Sequence, residues 1–222
     1  MYVGMTAFRR VRRVLANLVV AWVLVLAPAS ARAATVQTDL PCYLESRSVA
    51  VTGTGFTPGA SFTVLRDGQA IGGGTVGADG AVTGSFASGL LETGIAERAF
   101  DLTLTDGTNQ AATKFSVSRF RAEFAPSRGN PASLRVRFSV FGFGQMGLPV
   151  YLHYLRPSGR VARTVKLGST RSVCGGITRT RMRRLFPFRP GAGRWRLQFD
   201  TRKAFRRTAV PRIVRAVDVK RR

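Results

Sequence analysis

From Ala34 onward the apolar residues fall at every second position in short runs, and turn residues separate the runs. Val49 and Val51 alternate with small or polar neighbours, and Phe62 and Val64 do so after Thr57-Pro58-Gly59. Phe100, Leu102 and Leu104 alternate strictly before Asp106-Gly107, and Phe115 with Val117 follows. Further along, Leu134, Val136, Phe138 and Val140 alternate with Arg135, Arg137 and Ser139, and Val150, Leu152 and Tyr154 come next. Val161, Val165 and Leu167 follow the turn Ser158-Gly159. Trp195, Leu197 and Phe199 alternate with Arg196, Gln198 and Asp200, and Ile213 to Val219 reads as a closing strand. Period two is the spacing of a strand with one buried face, and no convincing helical period competes with it. Asp67-Gly68 and Asp79-Gly80 add hairpin signals. Turns spaced roughly 8 to 12 residues apart predict an all-β fold of the sandwich type.

Two stretches share one plan. Ser48 to Gly68 and Ser133 to Gly159 each run strand, Gly-Phe, Gly turn, apolar strand, Gly turn. Gly55-Phe56 answers Gly142-Phe143, Gly59 answers Gly147, and Asp67-Gly68 answers Ser158-Gly159. The expectation is two tandem β-sandwich domains, residues 34–119 and 120–222, meeting near Arg119 to Arg121, each of the size of an immunoglobulin-like domain. The stretch from Val49 to Val64, VAVTGTGFTPGASFTV, resembles the opening strands of bacterial immunoglobulin-like repeats found in secreted and cell-surface proteins of high-G+C bacteria. That resemblance implies adhesion, spacing or ligand-binding modules and no catalytic centre.

The chain before Ala34 follows a different logic. Arg9, Arg10, Arg12 and Arg13 precede an uncharged stretch from Val14 to Leu26, and small residues follow up to Ala34. Basic, apolar and small-residue regions in that order predict an export signal over residues 1–33, cut after Ala33, with a cut after Ala31 as the alternative. The apolar stretch is short for a membrane span. Export places Cys42 and Cys174 in an oxidising compartment, where they pair with each other, stay free, or bridge to a partner.

Charge divides the remainder. The formal net charge is +24. Residues 34–119 hold 5 basic and 8 acidic side chains, whereas residues 120–222 hold 25 basic and 3 acidic ones. The second half therefore carries the whole excess, in clusters interleaved with Phe186, Phe188, Trp195, Phe199 and Phe205. Arg181, Arg183, Arg184, Arg194, Arg196, Arg206 and Arg207 are the candidate anion-binding residues, since guanidinium groups fork onto phosphate and carboxylate oxygens. The expected partners are anionic envelope polymers or acidic polysaccharides, with non-specific nucleic-acid binding by the same counterion-release effect. Two other readings compete. Arg outnumbers Lys 31 to 4, the habit of a G+C-rich genome, so the charge is also readable as a solvated sheet face around a small-ligand or protein-binding module. The aromatic residues read as sandwich core before they read as stacking platforms.

No catalytic residue, metal site or cofactor is expected. His153 is the single histidine, in a strand between Leu152 and Tyr154, with no Ser, Cys or carboxylate beside it in sequence. Gly72-Gly73-Gly74 lacks the Lys-Ser/Thr of a phosphate loop and reads as a hairpin tip. The aspartates mostly neighbour glycines, as turns require, without the spacing of a calcium loop.

Overall fold

The computed structural model describes residues 33–178 and 180–220. The expected leader, apart from Ala33, lies outside the described residues, as do Arg179, Arg221 and Arg222. Every regular element of the described residues is a strand, and none is a helix. The first eight are β1 (Thr35–Thr38), β2 (Cys42–Leu44), β3 (Ser48–Thr54), β4 (Ser61–Arg66), β5 (Gln69–Thr75), β6 (Val82–Ala87), β7 (Glu97–Thr105) and β8 (Gln110–Ser118). They form two sheets, ordered β1-β3-β6 and β2-β8-β7-β4-β5. From β3 onward the chain passes from one sheet to the other after β3, after β5 and after β6, the Greek-key habit of an immunoglobulin-type sandwich.

The alternation read along the chain is what closes this pair of sheets. Val49 and Val51 of β3 and Val82 of β6 face Leu102, Leu104, Phe115 and Val117 of β7 and β8, all buried in one apolar cluster. Phe115 sits at its centre, with the rings of Tyr43, Phe86 and Phe100 between 5.6 and 5.9 Å away. Asp106 ties the open ends of the sandwich together. Its carboxylate accepts from the amides of Thr57, Thr108 and Asn109, and these bonds hold its pKa below the usual carboxylate range.

Strands β9 (Arg121–Ala125), β10 (Arg135–Phe141), β11 (Pro149–Leu155), β12 (Val161–Ser169), β13 (Arg183–Arg184), β14 (Gly193–Asp200) and β15 (Arg212–Val219) repeat the plan. Their sheets are ordered β13-β10-β9 and β12-β11-β14-β15. The order matches that of the first half strand for strand, except that β2 has no counterpart. A second, separate cluster fills this pair of sheets: Val136, Phe138 and Val140 from one side, Leu152, Tyr154, Trp195, Leu197 and Phe199 from the other. The paired glycines of the sequence fall at equivalent places. Gly55 ends β3 at φ 82° and Gly142 ends β10 at φ 81°, a left-handed conformation that a side chain disfavours, and each delivers the next residue, Phe56 or Phe143, into its core.

One sequence expectation is overturned. Gly72-Gly73-Gly74 is not a hairpin tip but the middle of β5, opposite Val64, Thr63 and Phe62 of β4. A β-carbon on Gly73 would stand 2.5 Å from the Phe62 carbonyl oxygen, and one on Gly74 would stand 3.0 Å from the Phe62 ring. The glycines let β5 approach β4 more closely than side chains permit.

Between the two halves the chain is short and held from several sides. Arg119 bonds Glu45 at 3.1 Å and the Leu91 carbonyl at 2.5 Å. The Phe120 ring packs on Phe143. Cys42 on β2 forms a disulfide with Cys174, in the loop between β12 and β13, across 132 residues of sequence. Beside it the Ser172 hydroxyl donates to Glu97 at 2.7 Å. The residues from Ala33 onward accordingly form one compact unit containing two cores.

Candidate anion-binding surface and its buried anchor

Strand β14 carries the largest alternation of charge and apolarity in the second half. Trp195, Leu197 and Phe199 point into the core, so Arg194, Arg196, Gln198 and Asp200 share the outer face of the β12-β11-β14-β15 sheet. In register, Arg194 stands opposite Asp218, Arg196 opposite Ala216 and Leu155, Gln198 opposite Val214 and His153, and Asp200 opposite Arg212 and Tyr151. Arg194 and Arg196 are exposed, whereas His153, Gln198 and Asp200 are 0 to 2% exposed. An outward face is expected to be wet; here the connection between β14 and β15 folds back over it.

That connection, residues 201–211, is tied down by the buried polar groups. Asp200 accepts from the Arg202 amide at 2.8 Å and from the Gln198 side chain at 2.8 Å. Gln198 also donates to the Arg206 carbonyl at 2.9 Å. His153 Nε2 lies 3.2 Å from Asp200 Oδ1 and 3.1 Å from the Arg202 carbonyl, two acceptors, so this nitrogen carries the hydrogen. Its Nδ1 lies 2.8 Å from the Thr164 hydroxyl. Phe205 closes the cluster, edge-on to the imidazole at 5.6 Å between ring centres.

No Ser, Cys or carboxylate lies beside His153 in the sequence, yet the fold gives it a carboxylate and a hydroxyl partner. Asp200, 47 residues away, and Thr164, on the adjacent strand, meet it through strand pairing, which local sequence does not reveal. The line Thr164–His153–Asp200 has the members of an acid–base relay. Its geometry serves another purpose: the imidazole has no exposed surface, both its nitrogens and both Asp200 oxygens have partners, and Nε2 and Oδ1 hold the 201–211 segment at Arg202.

The seven predicted arginines do not lie together. Arg184 pairs with Arg135 on the outer face of the β13-β10-β9 sheet, on the opposite side of the sandwich from Arg194 and Arg196. Arg183 pairs with Val136 and lies at the sandwich edge, near enough to Tyr154 to oppose the rise in that phenol's pKa caused by burial. Arg181 is exposed in the irregular stretch before β13. Arg206 and Arg207 ride on the tethered 201–211 segment, both exposed. Arg207 and Arg196 converge: their Nη2 atoms come within 3.8 and 3.3 Å of the point a Gly159 β-carbon would occupy, over the β11–β12 turn. Among the described residues Arg121, bound to Glu123, is the one Arg or Lys of the second half with a carboxylate within 4 Å.

The aromatic residues divide as well. Phe186, Trp195 and Phe199 are buried and Phe188 packs on them, so these four belong to the core. Phe205 alone of the five sits outside it.

The first half offers a cleft of about 500 Å³ where β4 and β7 meet the 88–95 loop. Arg66 and Arg98 stack on Phe100 at 5.4 and 4.8 Å, and Leu90 and Ile95 are exposed at its rim. Arg98 is neutralised by Asp67 and Glu92.

No protein-family model matches the chain. No curated protein matches it either. Solved structures similar to it include fibronectin(III)-like modules of Clostridium thermocellum CbhA, 13% identical over 83% of this chain and 94% of that one, with a TM-score of 0.28. The human OSCAR ligand-binding domain is 9% identical, over 84% and 97%, with a TM-score of 0.32. Salmonella alpha-2-macroglobulin reacted with methylamine is 14% identical over 84% of this chain but 14% of its own, with a TM-score of 0.29. At such scores the fold rests on the strand order described above.

Proposed function

We propose that the chain is a secreted or envelope-associated, non-enzymatic protein of two tandem immunoglobulin-like domains, whose basic second domain docks on anionic envelope polymer. The observation that carries this reading is the contrast in pairing. Of the five basic side chains of residues 34–119, three, Arg98, Lys114 and Arg119, are matched with carboxylates. Among the described basic side chains of the second half, Arg121 alone is so matched. Cations left unmatched over a folded surface raise the local concentration of a polyanion and exchange its counterions for protein contacts.

The test is retention of the chain from Ala34 onward on immobilised polyglycerol phosphate across a salt series. Retention at low salt that falls steeply as salt rises is expected, and replacing Arg194, Arg196, Arg206 and Arg207 by Gln shifts elution to lower salt. Equal elution of the two proteins, or no retention at low salt, defeats the reading. A second reading, a small-ligand module with incidental charge, draws on the cleft beside Phe100; it calls for a saturable ligand whose affinity is insensitive to salt.

A further inference from the structure

The geometry points to a discrete oxyanion clasp within that surface: we propose that Arg196 and Arg207 together hold one phosphoryl group of the polymer over the β11–β12 turn. The inference rests on the docking reading above and names its chemistry. Arg196 extends from a central strand and Arg207 from the 201–211 segment, so the two guanidinium groups approach one point from different elements. Nη2 atoms 3.3 and 3.8 Å from a common point lie no farther apart than the sum of those distances, a separation that a tetrahedral group seated above Gly159 is large enough to bridge. Guanidinium forks bind both carboxylate and phosphoryl oxygens, but the oxygens of a phosphoryl group are disposed tetrahedrally rather than in one plane, so groups arriving from two different elements each meet one of them.

Three features of the fold prepare this point. Gly159 has no side chain to fill the space between the guanidinium groups. The turn below is closed by the Gly159 amide donating to the Arg156 carbonyl at 2.8 Å and the Arg156 amide to the Arg160 carbonyl at 2.9 Å, which places two more exposed cations beside it. The backbone just before Arg207 is fixed by Gln198, so little ordering of that segment is left for binding to bring about. Arg194 differs in kind, since Asp218 stands opposite it in the sheet. Arg135 and Arg184 form a useful contrast: equally charged and exposed, they project from the far face of the same sandwich.

The experiment compares the chain from Ala34 onward with R196Q/R207Q and R135Q/R184Q, which change net charge equally. Inorganic phosphate titrated against the arginine side-chain NMR signals is expected to move Arg196 and Arg207, and R196Q/R207Q is expected to bind polyglycerol phosphate at least tenfold more weakly than wild type. R135Q/R184Q is expected to lose less than threefold. Equal losses in the two variants, or phosphate shifts confined to other arginines, overturn the clasp while leaving polymer docking intact. If a polyuronate is held as tightly as the phosphate polymer and R196Q/R207Q weakens both alike, the assignment to a phosphoryl group falls. Absence of wild-type retention on either polymer removes the docking reading itself. Circular dichroism of each variant confirms that the sandwiches remain folded.

Discussion

His153 alternates in β11 with two core residues, Leu152 and Tyr154, and by that alternation alone belongs on the outer face. It is nonetheless wholly buried, because Asp200, Gln198 and the backbone of Arg202 and Arg206 make a polar floor on which the 201–211 segment rests. A buried carboxylate is tolerated when its oxygens are fully engaged, and Asp200 receives hydrogen bonds from an imidazole, an amide side chain and a backbone amide. Replacing Asp200 by Ala orphans all three donors, and the expected cost is on the order of 3 kcal/mol. Hydrogen exchange at the Arg202 amide should accelerate in that variant, while exchange in β10 changes far less. Unaltered exchange at Arg202 would show that the segment is held by something other than this cluster. None of this was legible around position 153 in the sequence; the signal available was the change along the outer face of β14 from the cations Arg194 and Arg196 to the uncharged Gln198 and the acidic Asp200.

At the level of elements, the strands with strict alternation were legible from end to end. β3, β4, β7, β10, β11, β14 and β15 coincide with runs read from the sequence, because each buries one face and exposes the other. Turns were equally clear. Asp67 and Gly68 both have positive φ, as a two-residue hairpin between right-twisted strands demands. The strands missed are β1, β2, β5, β6, β9 and β13; β1, β2, β6 and β9 each place a single buried residue, Val36, Tyr43, Val82 or Ala122, in a core, too few to show a period. β5 is exposed along most of its length, and β13 is two residues long, so neither has an apolar period to detect. β5 exists because β4 offers it a free edge and its glycines permit close approach. Gly73→Val is therefore expected to push β5 off β4, since the added atoms meet the Phe62 carbonyl, and to cost about 1–3 kcal/mol. The measurement is the denaturation midpoint of the first half together with amide protection along β5; wild-type values for both would refute the packing argument. Gly72→Ala is the matched control, for nothing lies within 4 Å of the added carbon.

Over the whole molecule, among the described residues, one disulfide and one hydrogen bond, Ser172 to Glu97, join the two halves beside the chain itself. The Cys42–Cys174 disulfide closes a loop containing nearly all of the first core and the early strands of the second. On a chain-entropy account a loop of that length stabilises the folded state by as much as about 5 kcal/mol. Reduction, or the double change C42S/C174S, is expected to lower the denaturation midpoint and to widen the distribution of inter-half distances in small-angle scattering. Identical scattering curves with and without reductant would show that the Ser172–Glu97 hydrogen bond and the short connection suffice by themselves. The sequence alone determined that the chain after Ala34 is all β, that its halves share a plan, and that the excess of positive charge lies in the second, because periodicity, turn chemistry and charge are local properties that survive any arrangement of the strands. Which cysteine meets which, what surrounds His153, and on which faces the arginines emerge were decided by strand order and by the path of two connections. These bring together residues tens of positions apart, and no local pattern records such a meeting.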